Sequence, residues 1–246
     1  MKKTILSLAV FASMLISCSD NDVDPTEKLE ECRVSNINLN GEIISYTYDA
    51  EGKISAYDVK TENYSEQGTM IYNNGAIVVK GSYLEVGSSG GQYERIYNLN
   101  SSNQITSSNR GRRFEYNADG FLTKVYLRNT SDNYYSLTYN NGNLVKEQAY
   151  ENGKATDYIS RFEYSNDPYF LFNLSAIGRR MTVVFLEYDE MALQEQGYFG
   201  KISKNKVKSI DGSPVTYSTD SQGKISSLEY KYHSDKNIVS FNRSCK

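Results

Sequence analysis

One phrase recurs along this chain: a short alternating strand ending in tyrosine, a polar turn, and a second alternating strand. It stands at Ile44-Ser45-Tyr46-Thr47-Tyr48 before Asp49-Ala50-Glu51-Gly52, at Met70-Ile71-Tyr72 before Asn73-Asn74-Gly75, and at Phe114-Glu115-Tyr116 before Asn117-Ala118-Asp119-Gly120. It returns at Leu137-Thr138-Tyr139 before Asn140-Asn141-Gly142 and at Val215-Thr216-Tyr217 before the turn ending at Gly223. A weaker copy is Arg95-Ile96-Tyr97 before Asn98 to Asn103, and a degenerate one is Phe162-Glu163-Tyr164 before Ser165-Asn166-Asp167-Pro168. Glycine, asparagine and aspartate accept positive φ or bond their own backbone, so each turn reverses the chain and each phrase is a hairpin. The tyrosines Tyr48, Tyr72, Tyr97, Tyr116 and Tyr139 fall roughly two strands and two turns apart, which predicts hairpins following one another as a meander.

Alternation sends Tyr46 and Tyr48, or Phe114 and Tyr116, to one face and Thr47 or Glu115 to the other. A long meander cannot leave an aromatic face wet or its end strands unpaired. The expected fold is therefore all-β, an antiparallel meander curved into a barrel-like or strongly rolled sheet; which face points inward is open. Between Tyr164 and Val215 the hairpin signal stops. Met181, Val184, Phe185, Tyr188, Met191 and Ala192 take helical spacing before Gly197, predicting one short helix over 181–196 that plugs or caps the β structure.

The N-terminus reads differently. Lys2 and Lys3 precede an apolar run from Ile5 to Leu15, too short to span a bilayer as a permanent helix and patterned as a cleavable signal. Leu15-Ile16-Ser17-Cys18 resembles the lipobox of bacterial lipoproteins, which implies lipid attachment on Cys18. The expected organisation is a signal peptide over 1–17, a lipidated acidic tether over 18–30 and one all-β domain over 31–246. In the tether, Asp20, Asp22, Asp24 and Glu31 have the spacing of a calcium loop, but Pro25 stands where that loop needs glycine, so no metal is expected. With Cys18 consumed by lipid, Cys32 and Cys245 remain near the two ends of the domain. In an oxidising compartment the economical reading is one disulfide between them, worth about 4 to 5 kcal/mol in chain-entropy terms and drawing the first and last strands together.

Composition removes some classes of function. The formal charge is -3, and loss of Lys2 and Lys3 makes it more acidic, so no basic field exists for nucleic acid. Tyrosine is the unusual component, 22 residues beside 9 Phe and no Trp. It favours strands and gives each ring a polar tip. Catalytic signals are poor. Gly87-Ser88-Ser89-Gly90-Gly91 fits a Gly-x-Ser-x-Gly pattern but reads as a loop between strands rather than a strand-to-helix elbow. His233 is the only histidine, which leaves little for a triad or a zinc site. A glycosidase would need two carboxylates converging in a cleft, and Glu115, Glu163 and Glu229 are the strand glutamates available for it.

Tyr48-Asp49-Ala50-Glu51-Gly52-Lys53-Ile54 and Tyr116-Asn117-Ala118-Asp119-Gly120-Phe121-Leu122 resemble the YD repeats of Rhs-type and teneurin-type shells. With the lipobox, the acidic tether and the stretch Gly197-Tyr198-Phe199-Gly200-Lys201-Ile202-Ser203-Lys204-Asn205, the whole mature chain resembles a family of lipoproteins from gut-commensal bacteria, porin-like in fold and of unknown function. The resemblance implies a barrel-like meander and an outer-membrane location, lipid-anchored and surface-exposed, with periplasmic display the alternative. It implies no functional residue beyond Cys18. Strands of about 9–11 residues with a continuous lipid-facing apolar band, the mark of a membrane-crossing barrel, are not expected. The expectation is a non-enzymatic, cofactor-free binding module held to the membrane through Cys18, taking a glycan or peptide on exposed tyrosines. The alternatives are an accessory subunit recognised by an envelope protein along an open sheet edge, and a glycan hydrolase using the strand glutamates.

Overall fold

The structure, a computed structural model, describes residues 32–127, 130–168, 187–232 and 235–245. Cys18 with its signal and tether, His233, and the stretch holding Met181, Val184 and Phe185 lie outside the described residues. The first six strands are β1 (Cys32–Leu39), β2 (Glu42–Tyr48), β3 (Ile54–Lys60), β4 (Tyr64–Asn73), β5 (Ala76–Glu85) and β6 (Gly91–Leu99). Next come β7 (Ile105–Ser108), β8 (Arg113–Tyr116), β9 (Leu122–Tyr126), β10 (Tyr134–Asn140), β11 (Asn143–Glu151) and β12 (Lys154–Pro168). Helix α1 (Tyr188–Glu195) interrupts the series. It resumes with β13 (Asn205–Ile210), β14 (Ser213–Pro214), β15 (Thr216–Thr219), β16 (Ile225–Tyr232) and β17 (Asp235–Cys245).

All 17 strands belong to one antiparallel sheet whose last strand pairs with its first, giving a nearly closed barrel. At Val215 the ladder changes partner. Strand β14 pairs with β13, the Val215 amide still donates to Lys208, and β15 then pairs with β16. Closure leaves β1 flanked by β2 and β17, so its polar backbone has partners on both sides.

The turns that dictate this meander are of two chemical kinds. Asn40-Gly41, Asn141-Gly142, Asn152-Gly153 and Asp211-Gly212 hold positive φ at both positions, the backbone of a two-residue turn matched to strand twist. The longer turns repeat one bonding pattern. The Asp49 Oδ1 accepts from the amides of Glu51 and Lys53, the Asn117 Oδ1 from Asp119 and Phe121, and the Asp220 Oδ1 from Gln222 and Lys224. The weaker copy obeys the same rule two residues later than its tyrosine suggests. Asn100 is the acceptor there, and Asn103 takes the glycine's place at φ 59°. After each of these turns an isoleucine or leucine enters the core: Ile54, Ile105 and Leu122 are buried, and Ile225 packs against them.

The aromatic face points inward. Tyr46, Tyr57, Tyr97, Phe114, Tyr135 and Phe162 lie in one buried cluster with Ile37, Ile44, Val59 and Ile77. The strand-final tyrosines sit half-buried at the rim and donate to a carbonyl of a preceding strand: Tyr48 to Val34, Tyr72 to Ile54, Tyr116 to Ile105, Tyr164 to Leu144 and Tyr217 to Val207, all at 2.7–2.8 Å. Long strands do occur, β4 and β5 having 10 residues each. Their outward positions are mixed, Ser65, Gln67, Thr69, Lys80 and Ser82 beside Ile71, Val78 and Leu84, so no continuous apolar band forms there, as expected.

A barrel of this many strands is wider than side chains alone fill. Helix α1 occupies the interior. Its residues Tyr188 to Leu193 are all buried, and six consecutive residues cover the full circumference of a helix. Of the expected 181–196, residues 181–186 lie outside the described residues; Glu187 is extended at φ −116°, so α1 begins at Tyr188. The end falls where the sequence put it. Gly197 takes φ 80°, and the Tyr198 amide reaches back to the Leu193 carbonyl, a Schellman closure.

The repeated acceptor accounts for the turn geometry, so losing it has a measurable cost. Replacing Asn117 by alanine leaves the amides of Asp119 and Phe121 to water, and urea denaturation should show a loss of about 1 kcal/mol with an unchanged m-value.

Candidate functional site

Two arrangements stand out, one on each side of the same stretch of wall. On the inside, Arg95 of β6 is 5% exposed between Tyr93 and Tyr97 on the inward face. Its Nη1 lies 2.9 Å from Asp189 and 3.3 Å from Glu66, and its Nη2 lies 2.9 Å from Glu187. Tyr97 donates to Asp189 at 2.9 Å, while Tyr57 and Tyr93 reach Glu66 at 2.8 and 2.7 Å and Tyr64 donates to its other oxygen. Arg112, in the turn before β8, pairs with the buried Glu190, and Arg110 pairs with Glu187 at 2.7 Å. Burial resists ionisation of Glu66, but three tyrosine hydroxyls and Arg95 outweigh it and hold the carboxyl below its ordinary value. Burial wins at the helix, where it pushes Asp189 up to about 6 and Glu190 up to about 7 against the attraction of Arg95 and Arg112. The cluster fastens α1 to the wall. Each carboxylate in it is taken by an arginine or a tyrosine, an arrangement suited to structure rather than to proton transfer with a substrate.

On the outside, a groove of about 810 Å³ crosses β2 to β6. The rung Tyr46, Tyr57, Gly68, Gly81 and Tyr93 runs across these strands with side chains inward. A side chain at Gly68 would collide with the Tyr57 ring, and one at Gly81 with Tyr93. The two glycines let those rings fold across the strands until their hydroxyls meet at 2.5 Å. Outward residues of the two flanking rungs line the groove. One is Ser45, Asp58, Gln67, Ser82 and Gln92; the other is Thr47, Ala56, Thr69, Lys80 and Glu94. The charges are mutually neutralised, with Lys80 3.3 Å from Glu94 and Asp58 3.1 Å from Lys60.

Other sequence candidates are dispersed. Glu115 and Glu163 are exposed and Glu229 is partly exposed; they lie on β8, β12 and β16, bonded to Tyr126, Ser209 and Lys236 respectively, and do not converge in a cleft. That corrects the carboxylate pairing considered from sequence: each glutamate adjoins an inward aromatic position and must face outward. Gly87 to Gly90 lie in a largely exposed loop between β5 and β6, and Gly91 opens a strand rather than a helix. Backbone register places Cys32 directly opposite Cys245. A tyrosine patch does exist on the outer wall across β9, β10 and β11, where Tyr126 lies tilted against Tyr134 with centroids 5.5 Å apart and Tyr134 stacks on Tyr150 at 4.6 Å. Their faces are spent on one another, and Arg113 caps the Tyr126 ring at 4.3 Å. Among the described residues no group of histidine, cysteine, aspartate and glutamate is placed to hold a metal ion.

The buried Glu147 of β11 was not legible as a site residue. It is 0% exposed, and neither carboxylate oxygen has a partner among the described residues. Burial, with the nearby charge of Asp211, pushes it up to about 8, so it is held protonated at neutral pH.

Fold and site together define a nearly closed antiparallel β-barrel with a helix fixed inside it and a polar groove on its outer wall. No protein-family model and no curated protein matches the chain. Among solved structures it is similar to a porin-like protein from Bacteroides vulgatus, with 13% identity over 86% of this chain and 98% of that one and a TM-score of 0.48.

Glu147 makes stability depend on pH with a definite sign. Its native value lies above its unfolded one, so its contribution is whole below about 4.5 and is lost as pH rises through about 8. Wild-type protein should therefore lose several kcal/mol between about pH 5 and 9, and Glu147→Gln, which mimics the neutral acid, should make that slope much shallower. Asp189 and Glu190 are shifted the same way and slope both proteins alike, so identical wild-type and variant slopes in thermal melts would remove Glu147 as a source.

Proposed function

We propose that this protein is a lipid-anchored, non-catalytic binding module of the cell envelope, held to the outer membrane through Cys18 and engaging its ligand on the outside of the barrel. The observation that carries this reading is the inversion of polarity across the wall: the interior takes the aromatic and aliphatic side chains and a helix, while the wall around the groove presents hydroxyl, amide and paired charged groups. A barrel built in this sense is stable in water and needs a separate attachment, which the lipobox at Leu15-Ile16-Ser17-Cys18 would supply. The accessory-subunit alternative relied on an open strand edge, and pairing of β1 with β17 leaves none between the first and last strands. The hydrolase alternative relied on Glu115, Glu163 and Glu229, which point away from one another's strands into solvent. We assign residues 1–17 to a signal peptide and 18–30 to the tether.

Cleaving the tether tests the anchoring. Membranes from cells labelled with a fatty-acid analogue should carry the label on Cys18, and protease cutting between residues 19 and 31 should free the domain into the soluble fraction. A domain that stays in the membrane after the cut would overturn the reading.

The proposal extends to a disulfide between Cys32 and Cys245. Directly opposed residues of an antiparallel pair have Cα atoms about 4.5–5.5 Å apart, within the range a disulfide spans. Mass spectrometry of unreduced peptides should find the two cysteines linked; recovery of both as free thiols from exported protein would refute it.

A further inference from the structure

We infer that the groove across β2 to β6 is an oligosaccharide site and that its ligand is uncharged. The inference rests on the binding-module reading and names its ligand class and location.

Four features of the groove converge on that ligand. Its lining is built of groups that donate and accept hydrogen bonds, Ser45, Gln67, Thr69, Ser82 and Gln92, which is the chemistry that matches sugar hydroxyls. Its charges occur as neutralising pairs, Lys80 with Glu94 and Asp58 with Lys60, so neither a phosphate nor a strongly basic peptide finds an unopposed partner. Its backbone is committed on every strand to the ladders between β2 and β6, and an extended peptide, which binds sheets by adding to a free edge, has no edge to join here. Its volume of about 810 Å³ lies within the range of small-molecule clefts, and the two rings at its floor, Tyr57 at 3% exposure and the partly exposed Tyr93, belong to the inward rung and so give a shallow floor rather than a deep socket for a leucine or aromatic anchor.

Unspent bonding capacity lies where a ligand would meet it. The Gln92 side chain has no hydrogen-bond partner among the described residues, and Gln67 spends one N–H on Ser82 at 3.3 Å. These amides stand on the rung Asp58, Gln67, Ser82 and Gln92, one on each side of Ser82, so a chain of sugar rings lying along the groove meets them in succession. With no fully exposed aromatic platform in the groove, affinity rests on hydrogen bonds exchanged with water and falls in the millimolar range. A ligand presented many times on a polymer or cell surface compensates for weak single contacts through avidity.

Saturation-transfer NMR on the mature lipidated chain, held in a detergent without a sugar headgroup, tests this directly. The probes are neutral gluco-, xylo-, manno- and galacto-oligosaccharides of four to six units, with their acidic and sulfated counterparts and neutral hexapeptides alongside. At least one neutral series should saturate at low millimolar concentration, and Gln67→Ala and Gln92→Ala should each weaken it about tenfold without lowering the melting temperature. Tyr134→Ala, on the stacked ladder of the opposite stretch of wall, should leave binding unchanged. Absence of binding by every neutral series up to about 10 mM, or binding that both glutamine variants retain, overturns the site. Hexapeptide or acidic-sugar binding that the glutamine variants abolish overturns the ligand class while leaving a binding module in place. Failure of the envelope reading would show instead in the tether-cleavage experiment, which does not depend on any ligand.

Discussion

A single guanidinium joins the two parts of this molecule that could not exist alone. Seventeen strands in one ring enclose more space than their inward side chains fill, so the wall needs something inside it. The helix that fills the space is only eight residues long, too short to persist unaided in water. Arg95 ties them: it bonds Asp189 of the helix, Glu187 at its start and Glu66 of the wall at once. Removing one partner from such a set leaves a buried charge uncompensated, at a cost of about 3–5 kcal/mol, whereas the intact set contributes little net stability. Its value is therefore positional. An apolar helix could slide or rotate among the surrounding tyrosines; one carrying Asp189 and Glu190 fits only where Arg95, Tyr97 and Arg112 meet it.

The same constraint shapes the outer surface. Glu66 is kept ionised by tyrosine hydroxyls, and Tyr57 and Tyr93 reach it only because Gly68 and Gly81 leave room for their rings to cross the strands. The groove lies along that rung on the other side of the wall, with Tyr57, Gly68, Gly81 and Tyr93 among its lining residues. Interior electrostatics and the floor of the groove thus share one Tyr-Gly-Gly-Tyr rung.

How much of this was legible in the sequence follows from the range of each interaction. The turns were readable because their bonds are local: Asp49, Asn117 and Asp220 act on amides two and four residues ahead. The copy at Asn100 looked weak because Leu99 replaces the tyrosine and Asn103 the glycine, yet the acceptor that makes the turn is present. Gly197 marked the helix end correctly through a bond spanning five residues, while the upstream part of the expected helix, 181–186, lies outside the described residues. Period-two reading alone puts Arg95 on the tyrosine face of β6, an anomaly that signals a buried partner. Nothing local names Asp189, 94 residues away in sequence, as that partner. The groove was invisible for the same reason, since its rungs gather residues from five strands.

Polarity also sets the two faces of this wall apart. In a membrane-crossing barrel the apolar side chains face out and the lumen is wet. Here the strand alternation runs the other way, with Ile44, Val59, Ile77 and Tyr97 inside and Ser45, Asp58, Lys80 and Glu94 outside. Strand length does not separate the two cases, because the ten residues of β4 would reach across a bilayer. Phase does. Shifting the alternation by one residue would turn every side chain to the other face, so which face of the wall is apolar is written in which positions of each hairpin carry the tyrosines.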